Sequence, residues 1–209
     1  MMSKAIGGTP TLLSHAAIPQ FRIKPRMKLV IAATGASGAV YLQRLLDCLQ
    51  PGAHEIHLVY SSYAKQVIAE ELGTLRVPPG VREHGDRSMN VPFVSGSALF
   101  DAMVVVPCTM GTMGRIAAGT SDSTILRAAD VFLKERRKLI LVPRETPWSL
   151  IHARNVVTLL EAGAVILPAS PGFYNRPETV EAVVDTVVSR ILDQLGVENP
   201  IAVRWKSEE

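Results

Sequence analysis

The chain has 209 residues, 47% hydrophobic and 20% charged, which suits one globular domain with a substantial core and excludes a disordered chain. A net charge of +3 with only 5% aromatic residues, and no nucleic-acid-binding motif, argues against a nucleic-acid partner. No apolar run approaches the roughly eighteen residues that a membrane-spanning helix needs, so no membrane association is expected. Residues 1–26 carry no Asp or Glu and no apolar signal core. They read as an N-terminal extension, disordered and outside the fold: an upstream start before Met27, a free arm or an organelle transit sequence. Residues 27–209 read as one domain.

The first predicted strand is Lys28–Ala33, a buried run that empties into a turn of Thr34, Gly35, Ala36, Ser37 and Gly38. Ala39, Val40, Leu42, Leu45, Leu46 and Leu49 then recur at helical spacing. A strand-to-helix turn of small residues presents backbone N–H groups at a helix N-terminus, where the macrodipole favours an anion such as phosphate. A tight turn with a Ser cap is the plainer alternative. The dinucleotide fingerprint needs a third glycine and an acid after the second strand. Here the second strand, 54–60, ends in Ser61 and Ser62, so a mononucleotide fits better than NAD.

A helix over 63–72 carries Glu70 and Glu71. Residues 73–101, rich in Gly, Pro and Ser, read as a long irregular connection. A strand follows at 102–107, a helix beginning with small polar residues at 109–118, and a second helix at 122–136. The run 134–138, KERRK, reads as a solvated helix end with a binding patch as the alternative. Lys138–Pro143 is a strand, 149–162 a helix, 164–168 a strand and 179–195 a closing helix. Cys48 and Cys108 sit in apolar segments without metal-ligand spacing and read as reduced core residues of a cytoplasmic protein.

Strands alternating with helices imply a mostly parallel sheet covered on both faces, with ligands beyond the carboxyl ends of the strands. Residues just after strands should therefore share a crevice: Ser37, Ser61, Cys108 to Thr112, Arg144, Glu145 and the turn 170–174. Arg144 and Glu145 together are hard to explain as packing, with a structural ion pair as the alternative. Arg127 and Lys134, seven apart, share a helix face.

TGASGA at 34–39, PCTMGT at 107–112, RAADVFLKERR at 127–137, LVPRETP at 141–147, LPASPGFY at 167–174 and RW at 204–205 together resemble the UbiX-type flavin prenyltransferases. The likeness runs from Met27 to Trp205. It implies a flavodoxin-like (Rossmann-like) α/β three-layer sandwich that assembles as a homododecamer and binds FMN between subunits. It further implies transfer of a dimethylallyl group from dimethylallyl monophosphate to N5 and C6 of reduced FMN, without metal, giving prenylated FMN for UbiD-type decarboxylases.

By the same resemblance Gly35, Ala36, Ser37 and Ser61 would hold the FMN phosphate. Thr109, Met110, Gly111 and Thr112 would pass against the flavin, and Arg144 would contact it. Arg127, Lys134, Arg144, Tyr174 and Arg190 would bind the donor phosphate. Glu145 would be the acid for the departing phosphate and Ser37 its proton partner, while Glu71 matches a further family carboxylate. Trp205 would close the allyl pocket or serve as a contact between copies. Two rivals remain: an FMN-dependent cysteine-type decarboxylase of the same fold, whose catalytic His pattern is not matched by His54, His57, His84 or His152, and a non-catalytic FMN carrier.

Overall fold

A computed structural model describes residues 26–204. Most of the N-terminal extension (1–25) and Trp205 lie outside the described residues. Six parallel strands are named in chain order: β1 (Lys28–Ala33), β2 (Glu55–Tyr60), β3 (Arg82–Gly85), β4 (Ala102–Cys108), β5 (Lys138–Pro143) and β6 (Val165–Ile166). Six α-helices accompany them: α1 (Ala39–Cys48), α2 (Ser62–Leu72), α3 (Met110–Ala117), α4 (Thr124–Lys134), α5 (Leu150–Glu161) and α6 (Val180–Leu195). Among the described residues no helix is long and apolar enough to cross a membrane.

The sheet order is β3-β2-β1-β4-β5-β6, and all neighbours pair in parallel. Without the short edge strand β3, the order is that of flavodoxins. Because both faces of a parallel sheet are covered, its central strands are apolar throughout: every residue of β4 is buried. Alternate side chains part into two cores. Leu29, Ile31, Ile56 and Val104 face α1 and α6, whereas Val30, Ala32, Met103 and Val105 face α3 and α4. Both cysteines are free and buried, as expected. The chain departs from β1 toward β2 and returns to the other side at β4, so the switch point lies beyond Ala33 and Cys108.

The connection 73–101, expected to be irregular, contains β3 and a short 3-10 helix, Pro92–Val94. β3 reads REHG and lacks an apolar alternation because it is an exposed edge, held instead by ring contacts. His57, 1% exposed, places Nδ1 2.9 Å from His84 Nε2 and Nε2 3.1 Å from Glu55 Oε1. The two imidazoles stack with centroids 5.0 Å apart, while Phe93 and Phe100 meet them edge-on. The predicted helix 122–136 is trimmed at both ends: Ser123 caps it by accepting Leu126 N–H at 3.3 Å, and Arg136 turns left-handed at φ 53°. Arg137 then donates to the carbonyls of Gly96 and Ala98, each at 2.6 Å, so the KERRK run fastens the 95–98 loop.

Burial lowers the His57 pKa against the opposing pull of Glu55, and burial together with His57 lowers that of His84. Both pKa values lie below the ordinary 6.5, so below that pH the unfolded chain binds more protons than the fold. Stability is therefore present above about pH 6.5 and lost as the pH falls toward the folded values, by at most about 1.4 kcal/mol per pH unit for each histidine. Thermal melts from about pH 7 to pH 5 should show a falling Tm, flattened in His84→Gln; a Tm unchanged over that range contradicts the assignment.

Gly35 gives a second expectation. A Cβ there would stand 2.5 Å from Tyr63 Cβ, an atom fixed to the α2 backbone. Gly35→Ala must part the first turn from α2 and should cost about 1–3 kcal/mol in urea unfolding; an unchanged midpoint would show that the contact is slack.

Candidate active site

Thr34 fastens the rim at the switch point. Its N–H and hydroxyl both donate to the Pro107 carbonyl, at 3.1 and 3.0 Å, and its Oγ1 accepts the Thr109 N–H at 2.8 Å. Thr109 in turn caps α3, accepting the Thr112 N–H at 3.0 Å. Beside this link opens a cleft of about 260 Å³, into which Gly35, Ser61, Thr109, Gly111 and Thr112 converge, as the sequence led us to expect. Thr34, Tyr63, Asp86 and Arg115 also line it. Met110 is the exception in its segment: its side chain is buried in the core. Ala36 is buried as well.

The N-termini of the four helices around the crevice differ in what caps them. Gly38, at φ 112°, is the N-cap of α1 and has no side chain to offer. Glu71 of α2 supplies the missing cap from a distance. Its carboxylate accepts the Gly38 N–H at 2.9 Å through Oε2, and the Ala39 N–H at 2.7 Å. Burial pushes the Glu71 carboxyl up, but the Ser37 hydroxyl, the Gly38 and Ala39 N–H groups and Arg144 outweigh it and hold the pKa below the ordinary value. At α4, Asp86 Oδ1 accepts the Ile125 N–H at 2.8 Å and its carbonyl accepts the Thr124 N–H at 2.8 Å.

Two helix N-termini thus carry an internal carboxylate, whereas α2 and α3 are capped by the neutral hydroxyls of Ser61 and Thr109. The N–H groups of Gly38 and Ala39 at the start of α1 are engaged by Glu71, while Gly35 of the expected phosphate seat borders the cleft together with Ser61 and the start of α3. At α3 a Cβ on Gly111 would meet no atom closer than Thr109 Oγ1 at 3.9 Å, so its backbone borders open space.

Ser37, Glu71 and Arg144 form one group, with the Arg144 Nε donating to the Ser37 carbonyl at 3.0 Å. Among the described residues no ion pair joins Arg144 to Glu145. Glu145 is exposed, its Oε1 accepting the Thr146 N–H at 3.0 Å. Arg144 and Glu145 border a second cleft of about 630 Å³ with Ser170 and Trp148. Sequence reasoning missed Trp148, whose indole N–H donates to the Glu145 carbonyl at 3.0 Å. Its signal was a tryptophan directly after the RETP block.

The remaining expected donor-binding residues do not meet here within one chain. Arg127 pairs with Asp130 at 2.8 Å near the crevice end of α4. Lys134 pairs with Glu135 about 10 Å further along that helix, next to where β5 begins. Tyr174 is 84% exposed in the turn after β6. Arg190 pairs with Asp193 on α6 and borders a separate groove of about 340 Å³. Lys134 lies before the start of β5 and Glu145 after its end, so the length of that strand, roughly 20 Å, stands between them. Trp205 lies outside the described residues.

Comparison with known proteins places this geometry in a family. The Flavoprotein family model matches residues 19–192. The chain is 44% identical to the flavin prenyltransferase UbiX of Methanocaldococcus jannaschii, covering 86% of this chain and 98% of that one. It is 47% identical to UbiX of Thermoplasma acidophilum, covering 86% and 100%. A structure of AnUbiX (PadA1) in complex with FMN and dimethylallyl pyrophosphate superposes with a TM-score of 0.81 at 41% identity, over 88% of this chain and 100% of that one. A dodecameric FMN-dependent UbiX-like decarboxylase from Escherichia coli O157:H7 gives 0.80 at 43%, over 87% and 100%. The chain belongs to the UbiX flavin prenyltransferases, a family of transferases on a flavodoxin-like fold.

Proposed function

We propose that this chain joins the dimethylallyl group of dimethylallyl monophosphate to N5 and C6 of reduced FMN, without metal. The observation that carries the reading is the division of the crevice. One end offers two helix N-termini with neutral caps beside Gly111; the other gathers Ser37, ionised Glu71, Arg144 and Glu145. A phosphate fits the first end, at Ser61, Gly111 and Thr112, and the polar edge of a flavin fits the second. The absent side chain at Gly111 lets the phosphate approach the backbone closely.

When bound, reduced FMN supplies the nucleophilic ring atoms. The residues have to manage the donor. A monophosphate leaves readily only when its charge is neutralised or its oxygen protonated, so cations and one acid take the place of a metal. In this reading Glu145 gives a proton to the departing phosphate as the carbon–oxygen bond breaks. Ser37, hydrogen-bonded to Glu71, shuttles a proton near N5, and Glu145 then helps take the proton released from C6. Arg127, Lys134, Tyr174 and Arg190 reach the donor from neighbouring copies, which fits their exposure and the dodecamer of the Escherichia coli relative. Trp205 would close the pocket over the allyl group or contact a neighbouring copy. We propose that the product serves a UbiD-type decarboxylase, that the assembly is a homododecamer, and that residues 1–26 stand apart from the catalytic domain of a cytoplasmic enzyme.

Incubation with reduced FMN and dimethylallyl monophosphate, anaerobically and without added metal, should raise the flavin mass by one dimethylallyl group; an unchanged mass at saturating donor would sink the reading and leave a carrier. Running dimethylallyl pyrophosphate in parallel tests the donor, since the monophosphate should turn over faster. Glu145→Gln should keep FMN affinity and slow transfer about a hundredfold, and unchanged turnover would remove Glu145 from the acid role. Gly111→Val should weaken FMN binding at least tenfold with Tm little changed, because a Cβ there would come no closer than ordinary contact, 3.9 Å from Thr109 Oγ1; equal affinity would move the flavin elsewhere.

A further inference from the structure

Asp193 on α6 is not part of any site described above, yet its carboxylate accepts four hydrogen bonds. Its side chain is 7% exposed. Arg204 grips it with both ends of the guanidinium, at 2.6 Å to Oδ2 and 2.8 Å to Oδ1. Arg190 donates to Oδ2 at 2.9 Å, and Asn199 Nδ2 donates to Oδ1 at 2.8 Å. These donors come from three places: the preceding turn of α6, the bend after it, and the last described residue. Burial pushes the Asp193 pKa up, but Arg204, Asn199 and Arg190 outweigh it, so the group is ionised.

Two guanidinium groups on one carboxylate leave a net positive charge. Arg190 uses one N–H on Asp193 and retains most of its five donors. Its side chain is 62% exposed and borders the 340 Å³ groove, whose wall includes Ile201 and Val203. That wall belongs to the segment which Asn199 and Arg204 tie to Asp193. A residue anchoring the C-terminal segment alone would need only the two-pronged grip of Arg204. The added bond to Arg190 locks a long, otherwise mobile cation in one rotamer at the groove edge.

We propose that Asp193 is a positioning residue for donor binding: it fixes the guanidinium of Arg190 toward the phosphate of the prenyl donor and sets the groove wall in the same act. This rests on the reading that Arg190 contacts that phosphate. Losing a charge-assisted hydrogen bond that orients a phosphate ligand should weaken donor binding about tenfold or more.

The test uses the full chain with reduced FMN and dimethylallyl monophosphate, comparing wild type with Asp193→Asn and Asp193→Glu. Asp193→Asn should raise the donor KM about tenfold while kcat stays within about twofold and FMN affinity is unchanged; Asp193→Glu should recover part of the loss. Inorganic phosphate, used as a competitor, should lose inhibitory strength in step with the donor. A lowered Tm with the wild-type donor KM would make Asp193 a purely structural anchor and overturn the proposal. Should Asp193→Asn fail to fold, Asp193→Glu carries the test, since moving the carboxylate must still shift donor KM and phosphate inhibition. Wild type that transfers nothing to FMN would instead overturn the parent reading.

Discussion

The carboxylate of Glu71 rests on the N–H groups of Gly38 and Ala39, and the layout of the crevice follows from that contact. A helix that begins at a glycine has no side-chain cap, so its first N–H groups demand a partner. Glu71 meets the demand from α2 and in doing so ties α2 to α1. It also places a negative charge where the sequence led us to expect a bound phosphate. At α4 Asp86 adds its carboxylate to the Ser123 cap by accepting the Ile125 N–H, whereas α2 and α3 carry only the neutral caps of Ser61 and Thr109. Ser37, itself part of that expected seat, is tied to Glu71 through its hydroxyl and to Arg144 through its carbonyl.

The same economy of charge governs the other cations. Arg127, Lys134 and Arg190 each pair with a carboxylate on their own helix or next to it, and each remains partly exposed. Such surface pairs are weak and can be opened by a stronger anion. Arg190 differs from the rest because its partner Asp193 is buried and shared with Arg204.

Much of the fold was legible because parallel strands buried on both faces leave unbroken apolar runs: β1, β4 and β5 declare themselves. β3 did not, since an edge strand held by two histidines and two phenylalanines has no periodic signature. Gly35, Ser61, Gly111 and Thr112 share one cleft because each stands within a few residues of the carboxyl end of β1, β2 or β4, a relation legible in the sequence. Glu71 was named without a role, since a cap reaching across 33 residues leaves no local pattern. Thr34, Asp86 and Trp148 escaped for the same reason: their partners are distant in sequence or lie in the loop itself. Lys134, Tyr174 and Arg190 were recognised by motif, but a motif does not say which copy of the chain supplies them.

The sorting of the helix N-termini is tested most directly by a crystal structure of the chain with FMN. The expected result has the FMN phosphate within hydrogen-bonding distance of the Ser61 hydroxyl and the N–H groups at the start of α3, with Glu71 still on Gly38 and Ala39. A phosphate seated on Gly38 and Ala39, with Glu71 displaced, would contradict it.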